Sequence, residues 1–188
     1  AKPIRVPYTR LGPHLAPLFE KSFIHGLHAP AKRADAAEWE GALYRTMNML
    51  APSNSGRKWI VAGPGLHNAC ADSGERIAAP LPFARVFRDT GSAVVDEKLT
   101  FTLFHHLKLH TWHLRNGVSP NEHADRTPQA YVAQHGGKWW LVNVSHTPMH
   151  VVDGPRIGHN EQVELVGGLA IRGSDEVPGR ILHIDFLR

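Results

Sequence analysis

The sequence predicts a mainly β protein, in which an antiparallel β-sandwich follows a short α-helical hairpin. Three observations support this prediction. Short runs of β-forming residues fill the chain from Arg126 to Phe186, turn residues separate them at short intervals, and helical periodicity is confined to the first fifty residues. The runs that we predict as strands are 130–133, 149–152, 163–165, 169–171 and 180–186, together with the central segment 137–143.

The central segment shows the alternation expected of a half-buried strand. Trp139 and Leu141 alternate with Lys138 and Trp140, so one pair faces the core and the other faces outward. Glycine pairs, Pro148 and the Asp153-Gly154 dipeptide supply the turns on either side.

The first helix is predicted from Pro13 to about Gly26. Proline suits the first turn of a helix and glycine suits its end. The apolar side of this helix is expected to comprise Leu15, Leu18, Phe19, Ser22 and Phe23.

A second helix is predicted to begin at Asp35, because Glu38 follows three residues later as in a capping box. Pro52 limits its extent. Its buried stripe is expected to comprise Trp39, Ala42, Leu43, Thr46, Met47 and Leu50.

These patterns suggest three regions: helices in 1–51, an irregular linker in 52–82 and a sandwich in 83–188. The linker is rich in glycine and proline, although 58–61 is able to form one edge strand. Its Cys70 and His67 are too few for a tetrahedral zinc site, so we expect no metal there.

Composition narrows the functional classes. The net charge is only +4 and the cations are dispersed, which argues against nucleic-acid binding. No apolar run suits a membrane span, and a single cysteine excludes an internal disulfide. We therefore expect a cytoplasmic protein without membrane attachment and without a cofactor.

Fourteen histidines are unusual, and several fall between Leu99 and Leu114. The β-branched and aromatic residues there favour strands, on which His106 and His110 lie roughly 13 Å apart. On a helix, His106, His110 and His113 would converge as metal ligands. We favour structural histidines over a metal site. A catalytic Ser145-His146-Asp153 triad has no nucleophile-elbow motif to support it.

The C-terminal half resembles the forkhead-associated (FHA) domain, a β-sandwich that usually binds phosphothreonine. The matching residues are Trp139-x-Leu141-x-Asn143, then Val152-Asp153-Gly154, then Leu165-x-x-Gly168-Leu169-x-Ile171-x-Gly173. However, the segments corresponding to the phosphate-binding motifs are 126–129 and 146–150, where Pro148 lacks a backbone N–H and the side chain of Met149 has no donor. A rearranged phosphopeptide site would use Arg126, Thr127, Ser145, His146 and Thr147.

Residues 15–50 resemble the end of a protein-kinase catalytic domain. Pro30, Arg33, Glu38, Trp39 and Leu43 match its last block, and Ala34 replaces the usual proline. The Glu-Trp variant is similar to bacterial Ser/Thr kinases of the tellurite-resistance-associated phosphorylation triad. That resemblance implies a von Willebrand factor A domain partner and a 2C-type phosphatase. In such a kinase, Arg33 would pair with a buried glutamate of the catalytic domain.

The chain itself lacks the glycine-rich loop, the strand lysine and the His-Arg-Asp and Asp-Phe-Gly motifs of a kinase. We therefore expect no enzymatic activity, no catalytic residue and a docking role. The implied partner carries a metal site that accepts a ligand carboxylate, since a divalent cation favours hard oxygen ligands. The carboxylates that we expect to bind this metal site are Asp153 and Glu122 first, followed by Asp125, Glu161 and Asp175.

Overall fold

A computed structural model describes residues 7–188, and the chain divides into two compact units between Ala79 and Pro80. The first unit contains α1 (Gly12–Glu20), which continues as a π-helix over Lys21–His25, and α2 (Ala36–Asn48). Short 3₁₀ turns lie at Tyr8–Leu11 and Pro30–Lys32, and an antiparallel pair joins β1 (Leu50–Pro52) to β2 (Trp59–Val61).

The predicted capping box of α2 is confirmed. The Asp35 carboxylate accepts the Glu38 N–H at 2.8 Å, and the Glu38 carboxylate accepts the Asp35 N–H at 3.0 Å. These two bonds satisfy N–H groups that have no partner inside the helix. Lys21 donates to the same Glu38 carboxylate at 2.6 Å and ties α1 to α2.

The predicted buried stripes of the helices are partly wrong. Ala42 and Thr46 are buried, but Phe23, Leu43 and Met47 are 59%, 48% and 66% exposed. Periodicity shows which side of a helix is apolar, and only packing decides how much of that side is covered. The Phe23 ring lies beside Phe19 and Trp39 in tilted arrangements, with centroids 5.6 and 6.5 Å apart. An apolar surface of the hairpin is therefore formed by Phe19, Phe23, Trp39, Leu43 and Met47.

The segment expected to be an irregular linker is more ordered than predicted. Besides β2, it carries isolated bridges between Ser53 and Ile77 and between Ala69 and Arg76. The part up to Ala79 belongs to the first compact unit.

The second unit is mainly β, as predicted, and all its strand pairs are antiparallel. One sheet has the order β4-β3-β12-β11-β8-β9, and the other has the order β10-β7-β6-β5. The strands are β3 (Leu81–Asp89), β4 (Val94–Thr102), β5 (Lys108–Leu109), β6 (Ala130–His135), β7 (Lys138–Asn143), β8 (Met149–Val151), β9 (Arg156–Ile157), β10 (Gln162–Glu164), β11 (Ala170–Arg172) and β12 (Gly179–Leu187), with α3 (Thr111–Leu114) after β5.

The alternation predicted for the central strand is confirmed over residues 138–141. Trp139 and Leu141 are buried, Lys138 is exposed and Trp140 is half-buried. The Trp139 indole N–H donates to the Pro80 carbonyl, which satisfies its polar edge. Gly136 and Gly137 both have positive φ, as the tight turn between β6 and β7 requires.

The histidine-rich segment is not a continuous pair of strands. The prediction fails at Thr111–Leu114, which form the short helix α3. Across residues 7–188, no helix is long and apolar enough to cross a membrane.

Candidate interaction site

Asn143 organises the loops at one end of the second unit. Its side chain is fully buried and donates to the carbonyls of Thr147 and Ile157, each at 3.0 Å. Its carbonyl oxygen accepts the Ser145 N–H at 2.9 Å. One amide group therefore fixes both the loop 144–148 and the start of the loop 158–161.

Backbone hydrogen bonds at Gln129 join the two segments that contain the predicted phosphopeptide site. The Gln129 carbonyl accepts the N–H groups of Val144 and Ser145, at 3.0 and 3.1 Å. These bonds bring the segment that contains Arg126 and Thr127 next to the loop that contains Ser145, His146 and Thr147. The Arg126 side chain is exposed and makes no ion pair with any other residue in the range 7–188.

Arg115 supplies a cation to this site that the sequence did not indicate. Its guanidinium donates to the Thr147 hydroxyl at 3.1 Å, and it also lies 3.0 Å from the Glu176 carboxylate. A guanidinium beside a hydroxyl is a common part of an anion-binding site. Because Glu176 already neutralises Arg115, an anionic ligand would have to displace that carboxylate.

Two exposed histidines, His146 and His159, belong to the same two loops. The rings of His146 and His159 are stacked with centroids 4.5 Å apart, and His159 Nδ1 lies 3.2 Å from the Ser145 carbonyl. The Ser145 hydroxyl donates to the Thr147 carbonyl at 2.8 Å. That bond uses the hydroxyl proton. A serine nucleophile would instead donate this proton to a histidine acting as general base, so the bond is typical of a serine that stabilises a loop.

The predicted docking carboxylates differ in how strongly they are already bound. Asp125 accepts the Thr127 N–H, and the hydrogen bonds from Thr127 hold the pKa of Asp125 below its usual range. Glu161 accepts the Gly158 N–H at 2.6 Å, and Glu122 lies 3.2 Å from His123. These three carboxylates therefore have internal partners.

Asp175 and Asp153 are the two remaining predicted docking carboxylates. Asp175 lies 2.9 Å from His150 Nε2. Asp153 stands at the turn between β8 and β9 with φ 57°, is exposed, and makes no side-chain hydrogen bond or ion pair within the described part of the chain. Among the predicted carboxylates, Asp153 is thus the one with both oxygens available to a partner.

The backbone around Asp153 holds it in place. Gly154 donates to the Val151 carbonyl at 3.0 Å, and Val152 donates to Ala170 at 2.9 Å. A Cβ at Gly154 would lie 2.8 Å from a Val151 methyl carbon, so glycine is needed there. The left-handed conformation of Asp153 is one that aspartate tolerates better than most residues.

His113, the histidine of α3, is held by an internal hydrogen bond. His113 is buried and its Nδ1 accepts the His110 N–H at 2.9 Å. Burial, with smaller contributions from His110 and Arg180, lowers the pKa of His113 to about 3. Nowhere in residues 7–188 do three or more His, Cys, Asp or Glu side chains form a group able to hold a metal ion.

Arg33, which the kinase resemblance would pair with a glutamate, donates instead to two backbone carbonyls. Its Nε bonds Gly26 O at 2.9 Å and its Nη2 bonds Leu27 O at 3.1 Å. Arg33 therefore stabilises the turn that joins the two helices.

Comparison with protein-family models and with curated proteins finds no match to this chain.

Proposed function

We propose that this chain is a non-catalytic docking region of a bacterial Ser/Thr kinase of the tellurite-resistance-associated triad, and that it binds a von Willebrand factor A domain partner. The observation that carries the proposal is the Asp153 turn. It presents an exposed carboxylate that has no side-chain partner among residues 7–188, on a backbone held by hydrogen bonds. A partner metal ion with an open coordination position would bind such an oxygen at little conformational cost.

The helical hairpin supports the kinase part of the proposal. Its apolar surface contains the exposed side chains of Phe23, Leu43 and Met47 beside the half-buried Phe19 and Trp39, and is suited to packing against another protein surface. The final helices of a kinase catalytic domain would use such a surface against the rest of that domain. In the proposed parent kinase, catalysis would reside outside this region, and a 2C-type phosphatase would be a second partner.

The proposal is tested by measuring the affinity of the full chain for a purified von Willebrand factor A domain of the triad. We expect binding with Mg²⁺ that is lost on adding a chelator, and that falls about tenfold or more in Asp153→Asn because one charged ligand is removed. The control is Asp72→Asn, which alters another exposed loop carboxylate. An affinity that is unchanged both by the chelator and by Asp153→Asn would refute the proposed contact.

The second candidate function is binding of phosphothreonine peptides at a rearranged site. The observation that favours it is Arg115, which converges with Thr147 on the loop that Asn143 fixes. Titration with a phosphothreonine peptide is expected to shift the amide signals of 145–147, and Glu176→Gln should tighten binding by freeing Arg115. Unshifted signals at millimolar peptide would eliminate this function.

A further inference from the structure

A cleft runs between α1 and α2 in the first unit. Its volume is about 400 Å³, within the range of small-molecule sites. Most of its lining is apolar or small, with charged groups toward the ends. The lining residues are Pro13, His14, Pro17, Leu18, Ala37, Glu38, Gly41, Ala42 and Arg45.

The two ends of the cleft differ in charge. The helices are antiparallel, so His14 lies near Arg45 at one end, whereas Lys21 binds Glu38 at the other. Glu38 also accepts the Asp35 N–H, and its charge is therefore already balanced. From Ala37 to Arg45 the cleft spans eight residues of α2, or about 12 Å.

Arg45 provides the cationic end. Its side chain is exposed and forms no ion pair with any carboxylate of residues 7–188. Burial, and then the charge of Arg45, lowers the pKa of His14, so the imidazole is neutral near pH 7 and able to donate one hydrogen bond. A guanidinium beside a neutral N–H donor is complementary to a carboxylate.

Gly41 leaves the middle of the cleft open. A Cβ placed on Gly41 meets no atom within 4 Å, so this part of the wall has space for ligand atoms. The apolar side chains Pro17 and Leu18 line the cleft together with Ala37. An apolar group in this space would displace water from apolar surface.

We propose that this cleft binds a small monocarboxylate with an apolar body. The carboxylate pairs with Arg45 and His14, and the body lies over Gly41 toward Pro17. This site is separate from the docking function proposed for the second unit.

The test uses phenylbutyrate as the probe, with the full chain followed by two-dimensional amide NMR. We expect saturable shifts at residues 14–18 and 37–45, with a dissociation constant of about 1 mM or below. Acetate, which lacks the apolar body, and phenylbutyramide, which lacks the charge, should each bind at least about tenfold more weakly.

Two variants separate the parts of the site. Arg45→Met should weaken phenylbutyrate binding by about tenfold or more, whereas the exposed control Arg156→Met should leave it unchanged. Gly41→Leu fills the open space and should abolish the shifts, and its amide spectrum before titration shows whether α2 is intact. Equal affinity in Arg45→Met, unaltered binding in Gly41→Leu, or shifts that do not saturate would overturn the proposal.

Discussion

His113 should make the second unit sensitive to acid. Its pKa is about 3 in the folded protein, because the ring is buried, and 6.5 is the ordinary value. A histidine with a depressed folded pKa contributes stability that is fully present above 6.5 and is lost as pH falls towards 3. Each pH unit well inside that window costs about 1.4 kcal/mol, so lowering the pH from about 7.5 to about 4.5 should remove roughly 3 kcal/mol.

The loss is measurable by urea unfolding at several pH values, with the amide NMR signals of β12 reporting the second unit. His113→Gln keeps an acceptor for the His110 N–H but cannot be protonated. Over the same pH interval, its unfolding free energy should therefore fall by roughly 3 kcal/mol less than that of the native protein. His123→Gln, at an exposed position, should retain the native pH dependence. If His113→Gln and the native protein lose the same free energy, buried His113 is not the cause.

Three further changes test the packing. Asn143→Ala should lower the unfolding free energy by about 3 kcal/mol, because the buried Ile157 carbonyl and the part-buried Thr147 carbonyl lose their donor. Urea unfolding should show little change for the exposed control Asn54→Ala. Arg180→Met should cost about 3 kcal/mol, because the partly buried Glu97 carboxylate loses its partner at 2.8 Å, and Glu97→Gln in the same background should recover part of that loss. Gly41→Ala should raise the stability of the first unit by up to about 1 kcal/mol in thermal unfolding, since alanine favours helix and the site is open; destabilisation would show that the space is occupied.

The parts of the fold that depend on local pattern could be predicted from the sequence. Alternation predicted that either Trp139 and Leu141 or Lys138 and Trp140 face the core, and the first pair does. The spacing of Asp35 and Glu38 predicted the capping box. These features depend on neighbours within a few residues. The division into a helical hairpin and an antiparallel β region followed from the same kind of evidence.

The missed features depend on contacts between distant segments. Thr111–Leu114 form a helix although their composition favours strands, and the Arg180 guanidinium donates to the Trp112 carbonyl from 68 residues away. Local secondary-structure propensity cannot predict such a contact. The exposure of Leu43 and Met47 was missed for a related reason, because a sequence pattern does not show which apolar surfaces have a partner.

The candidate site shows the same division. The sequence predicted that the loops containing Thr127 and Ser145 belong to the site, and it predicted Asp153 as a docking carboxylate. It did not indicate Arg115, whose contact with Thr147 spans 32 residues, nor which carboxylates have internal partners. The structure distinguishes Asp153 from Asp125 and Glu161 through hydrogen bonds that only the folded loops reveal.

The most direct test of the docking proposal is paramagnetic NMR of the complex with a von Willebrand factor A domain loaded with Mn²⁺. If the Asp153 carboxylate coordinates the partner's ion, the amide signals of 152–154 should broaden most, and Asp153→Asn should abolish that broadening. Broadening centred on another segment, or none in a saturated complex, would contradict the account.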